Sequence, residues 1–206
     1  MKSLLCTLLV ALALGPVPGC RSSDPEPPLV IPPSTSGVYV LNEGTFSGGG
    51  GVSFIDAATD SVFVDAITGS SDWAFPNDMK VIGSKGYVAV NASDRVDVID
   101  LASQSVIKGI VFPPGKGPGF LAWEGDTLAV ANYDGSVCLI DMRSDSIVGT
   151  VEHVVGFPGG VAMIHGKVFV SDVGLYPSTG REVCVLRLHA PVGRDTIIVE
   201  NAPGAM

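Results

Sequence analysis

The chain has 206 residues, 46% hydrophobic and only 16% charged, with 26 Gly and 15 Pro. This profile argues against a disordered chain and suits short strands joined by tight turns. A formal net charge of -9, with no cluster of Lys and Arg, argues against a nucleic-acid backbone as partner.

The first segment reads as an address. Lys2 followed by the apolar run from Leu4 to Leu14 makes a secretory signal, and the run is too short to span a bilayer. It ends on Val17-Pro18-Gly19-Cys20, which resembles the bacterial lipobox, with Pro18 as the one departure. The resemblance implies that residues 1–19 are removed, that Cys20 is lipidated, and that the protein touches a membrane through its lipid anchor alone. An ordinary signal followed by a chance Cys is the other reading. Residues 20–36 read as a tether, because the prolines and small polar residues of RSSDPEPPLVIPPSTS neither pack nor form a helix. Asp24 and Glu26 resemble the surface-export signal of Bacteroidetes lipoproteins.

From residue 37 the chain repeats itself. The segments VSFIDAATDSV (52–62), VDVIDLASQSV (96–106) and VCLIDMRSDSI (137–147) each run apolar-alternating into Asp56, Asp100 or Asp141, then a polar turn, then a new strand. A fourth copy, VCVLRLHAPVGRDTI, has lost the Asp. Ahead of each lies another alternating strand, and these end on Asn42, Asn91, Asn132 and Asp172, read as equivalent. Loop prolines at 76, 118, 158 and 203 are spaced by 42, 40 and 45 residues. No helical periodicity is present. A period near 40 to 45 made of strands and turns predicts an all-β chain, a β-propeller of four-stranded antiparallel blades.

In the second copy the strands fall at 79–82 (a), 87–91 (b), 95–100 (c) and 105–112 (d), with short a-to-b turns (GSKG, EGD, HGK) and c-to-d turns (DAATD, DLASQ, DMRSD). About four blades are expected over 37–206, the first lacking strand a, so the ring is expected to be incomplete. A truncated reading frame accounts for this, as does an open domain that assembles with a partner. Asn and Asp at the strand ends close turns by bonding the local backbone. Cys138 and Cys184 occupy the same position of successive blades. Sheets pack about 10 Å apart and a disulfide needs Cα atoms within about 7 Å, so two buried free thiols are predicted.

The repeat GYVAVN followed by VID resembles the YVTN-type β-propellers, and GVYVLNEG with a Gly-rich loop is similar to the opening strand of a Bacteroidetes branch of surface lipoprotein propellers, which includes cobalamin-binding ones seated over an outer-membrane transporter. The resemblance implies an exported outer-membrane lipoprotein, at the cell surface or in the periplasm, that binds a small ligand, a corrinoid among the candidates, or a partner protein, and passes its ligand to the transporter.

The b-to-c and d-to-a connections of a propeller open on one side, and here they carry the chemistry: Glu43, Asp72, Trp73, Phe75, Asn77, Asp78, Asp94, Lys116, Tyr133, Asp134, Phe157 and Tyr176. With Asn42, Asn91, Asn132 and Asp172 they form the candidate binding rim. Trp73, Phe75 and Phe157 have a second reading as plugs between blades. The four Asn and Asp strand ends are also candidates for a ring of oxygen ligands around calcium. His153, His165 and His189 lie apart without metal-ligand spacing, no G-x-S-x-G occurs, and SGGGG is followed by no Lys-Ser or Lys-Thr. An exported propeller enzyme, such as a metal-dependent lactonase, and a protein-interaction scaffold are the alternatives to a binding protein.

Overall fold

A computed structural model of the chain describes residues 36–68, 73–175, 177, 179–188 and 193–204. The signal segment, Cys20, Asp72, Tyr176 and His189 lie outside the described residues. Every strand pairs antiparallel. β1 (Gly37–Asn42), β2 (Gly51–Asp56) and β3 (Val62–Thr68) make a three-stranded sheet in that order. Three four-stranded meanders follow: β4 (Pro76–Ile82), β5 (Lys85–Val90), β6 (Arg95–Asp100) and β7 (Ser105–Val111); β8 (Pro118–Glu124), β9 (Thr127–Asn132), β10 (Val137–Asp141) and β11 (Ser146–Val151); β12 (Pro158–Ile164), β13 (Lys167–Asp172), β14 (Glu182–Arg187) and β15 (Gly193–Ile198).

The first strands β4, β8 and β12 run side by side at the centre, and the sheets stack face to face as propeller blades do. Three apolar clusters fill the gaps. Val52, Ile67 and Trp73 of the first sheet and its exit loop meet Val88, Val90 and Ile99. Tyr87, Val96 and Val98 meet Leu121, Leu128 and Ile140. Ala129, Ala131 and Val137 meet Val161, Val168 and Val170. Cys138 belongs to the second cluster and Cys184 to the third, and both are free and buried.

The turns follow from the residues that the repeat places there. Asp56, Asp100 and Asp141 accept backbone N–H groups from Ala58 (2.8 Å), Ser103 (2.7 Å) and Arg143 (3.1 Å). These bonds hold the Asp100 and Asp141 carboxyls below their ordinary range. The same turns bring Asp60, Gln104 and Asp145 into the left-handed region, with φ of 55°, 55° and 48°. Two corrections to the expected elements arise. Pro76, Pro118 and Pro158 are first residues of inner strands, where a missing N–H removes no essential ladder bond. Asn91 lies past β5 and starts a one-turn 3-10 helix, Asn91–Ser93.

Candidate functional site at the propeller mouth

The mouth is built by an irregularity that recurs in each complete sheet. After its proline the inner strand slips by one residue against its neighbour, between Pro76 and Asp78, Pro118 and Phe120, and Pro158 and Gly160. The extra residues are Asn77, Gly119 and Gly159, and a bulge of this kind re-aims whatever side chain it carries. At Gly119 an added Cβ would stand 2.8 Å from the Tyr133 ring, so glycine is what lets that ring lie against the strand. Asn77 alone among the three bulge residues carries a side chain. Its Nδ2 donates to the Tyr133 hydroxyl at 3.3 Å. Its Oδ1 is buried with no partner.

Asn77, Asp78, Lys80, Phe120, Leu121, Gly160 and Val161 line a cleft of about 240 Å³ in front of the inner strands. Asn77 and Asp78 also line a trench of about 500 Å³ with Tyr39, Leu41, Met79 and Val81, between β1 and β4. Asp78 pairs with Lys80 at 3.0 Å and accepts the Leu121 N–H at 2.8 Å, which ties the second sheet to the third. Tyr133 is the hub. Phe120 and Phe157 flank it with ring centroids at 5.7 and 5.0 Å. Burial, and then the charge of Glu43, push its hydroxyl above the ordinary phenol range. Glu43 directly follows β1 of the first sheet and Phe157 lies on the loop that enters the fourth, so segments next to all four sheets meet in one place.

Pairing register reassigns the Asn series. Gly37, Lys85, Thr127 and Lys167 are equivalent, because they pair with Asp56, Asp100, Asp141 and Arg187. The counterparts of Asn42, Asn132 and Asp172 in the second sheet is therefore Val90, and Asn91 corresponds instead to Glu43, Tyr133 and Val173. A shift of one residue reverses the face of a strand, so the sequence-based equivalence of Asn91 is overturned. Backbone bonds agree: Asn91, Tyr133 and Val173 donate their N–H groups to the carbonyls of Phe75, Gly117 and Phe157.

The strand-end side chains are engaged within their own blades. Asn42 donates to Ser53 Oγ (2.9 Å). Asn132 is fully buried and donates to Ser136 Oγ (3.0 Å) and Cys138 Sγ (3.3 Å), its Oδ1 lacking a partner. Asp172 accepts the N–H groups of Gly156, Phe157 and Gly174. Asp94 accepts those of Gly115 and Gly117, both at 2.7 Å. Asp134 binds Ser136 and pairs with Lys116 (2.8 Å), which also reaches Glu152. Trp73 is fully buried and donates its indole N–H to the buried Asp97, so it is a plug between the first two blades. Phe75 stacks on Phe46 at the rim.

The structure thus brings together Glu43, Asn77, Asp78, Tyr133 and Phe157, and adds Phe120 and Lys80. Phe120 and Lys80 follow the prolines by two and four residues, a signal that became readable only once those prolines were strand starts. Among the described residues no group of three or more His, Cys, Asp and Glu is placed to hold a metal ion.

No family model matches the chain, and no curated protein is similar to it. Solved structures are similar in 991 chains. One is hydrazine synthase of Kuenenia stuttgartiensis, with a TM-score of 0.63 and 21% identity over 89% of this chain and 53% of that one. The chain spans about half the length of that protein. At this identity the likeness shows the fold, a β-propeller.

Proposed function

We propose that this chain is the binding body of an exported, lipid-anchored β-propeller that captures a small molecule at the propeller mouth and hands it to an outer-membrane transporter. The observation that carries the reading is Asn77. A bulge sets Asn77 on the lining of a cleft shared by three inner strands, and its buried Oδ1 has no partner; a buried unpaired polar atom is costly unless something binds it. Tyr133, Phe120 and Phe157 supply apolar ring surface beside it, and Glu43 and Asp78 supply charge. The lipobox-like VPGC and the tether support export and anchoring at Cys20. The resemblance to surface lipoprotein propellers supplies corrinoids as the ligand class to try first.

Calorimetric titration with cobalamin and related corrinoids, with and without EDTA, tests this. Heat that survives chelation and falls about tenfold or more in affinity in Asn77→Ala and Tyr133→Ala supports the reading. Metal-dependent turnover of a lactone, or corrinoid binding untouched by both substitutions, overturns it. Radiolabelled fatty-acid incorporation that persists in Cys20→Ala removes the anchor from the proposal.

A further inference from the structure

Phe46 and Phe75 form a second feature of the rim that the central cleft does not use. Phe46 sits at the tip of a tight turn closed by the Thr45–Gly48 bridge and is 71% exposed. Its ring lies on that of Phe75 with centroids 4.3 Å apart and planes within 10°. Aromatic pairs in general favour offset or tilted arrangements, and a near-parallel pair with an open outer face is a stacking platform.

Phe75 holds an unfavourable backbone to be there. Its φ is +51°, a region that bulky side chains avoid. The equivalent residue of the third sheet, by the carbonyl that receives the N–H after strand b, is Gly117, with φ +58°. Glycine meets this geometry without strain, yet the second sheet keeps a phenyl ring. The backbone is locked around it: Phe75 N–H donates to the Thr45 carbonyl (3.0 Å), and its own carbonyl accepts from Asn91 N–H (3.2 Å). The fourth sheet also places a phenyl here, Phe157, and that ring packs on Tyr133, whereas the ring of Phe75 meets the exposed Phe46.

We propose that Phe46 and Phe75 are a stacking site for a planar conjugated ring carrying positive charge. Ring faces are electron-rich and attract cations, and the chain carries a net charge of -9. The inference deepens the proposed binding function by naming a ligand class, and it stands on residues separate from the cleft.

Titration of the full chain with proflavine, a planar cation, in moderate salt tests it, with tetraethylammonium and 1-naphthalenesulfonate as cationic non-planar and planar anionic probes. Proflavine binds one to one, and its affinity falls about tenfold in Phe46→Ala and in Phe75→Gly. Both variants fold, since Phe46 is exposed and glycine suits the backbone at 75. Asn77→Ala leaves proflavine binding unchanged, so failure of this site and failure of the cleft are distinguishable. Proflavine affinity equal in wild type and both Phe variants, or tetraethylammonium binding as tightly as proflavine, overturns the proposal.

Discussion

The four valines 40, 88, 130 and 170 occupy one repeat position in the first, second, third and fourth sheets, by the register of β1, β5, β9 and β13. Val88, Val130 and Val170 are fully buried, whereas Val40 is 38% exposed and its neighbour Val38 57%. The residues are identical and the strands alternate alike. What differs is the neighbour: Val130 packs on the second sheet and Val170 on the third, but among the described residues no sheet covers that face of β1. A strand pattern therefore declares which residues are fit to be buried, and an adjacent blade decides whether they are.

The largest effect expected tests the joint between these two regions. Asp97 is buried, receives the Trp73 indole N–H and pairs with Arg95 at 2.9 Å. Asp97→Ala leaves Arg95 without this counter-charge in a buried setting and should cost about 3–5 kcal/mol in urea unfolding; a loss under about 1 kcal/mol would show that the joint between the first and second sheets is soft. Next comes the same substitution at equivalent sites. Val130→Ala should cost about 2 kcal/mol through lost burial and a cavity, and Val40→Ala less than about 0.5 kcal/mol. Equal losses would mean that β1 is covered in solution.

A smaller effect concerns the exposed side of the first sheet. Val38→Lys should change stability by less than about 0.5 kcal/mol and slow aggregation followed by light scattering, because a charge on an apolar edge opposes strand-to-strand pairing. Unchanged aggregation places the sticky surface elsewhere. The smallest effect belongs to Lys116, in the third sheet's loops. Hydrogen bonds to Asp134 and Glu152 raise its ammonium from 10.5 to about 12. A raised folded value means that its stabilisation is complete below the unfolded value and fades as pH climbs from about 10.5 through about 12. Wild type and Lys116→Met should differ slightly in urea midpoint at pH 8 and converge at the alkaline end; a gap that widens with pH contradicts the assignment.

Strand c of the second blade was legible residue for residue, because alternation ends there on an Asp that starts a turn. The three-stranded first sheet and the two free thiols were legible for the same reason: repeat position carries them. The bulge after each inner-strand proline was not, since Pro-Asn-Asp, Pro-Gly-Phe and Pro-Gly-Gly read as loop. That miss hid Phe120 and Lys80 from the site. The equivalence of Asn91 with Asn42 failed on one residue, because matching letters at a strand end cannot fix register.

The sequence by itself determined the period, the antiparallel blades and the side on which the longer connections lie, because alternation, turn residues and prolines act over a few neighbours. Which side chains meet at the mouth, and that Trp73 is sealed in while Phe46 is left open, only the tertiary structure decided. Those contacts join residues far apart in the chain, 56 positions between Asn77 and Tyr133, and depend on how one blade stacks upon the next.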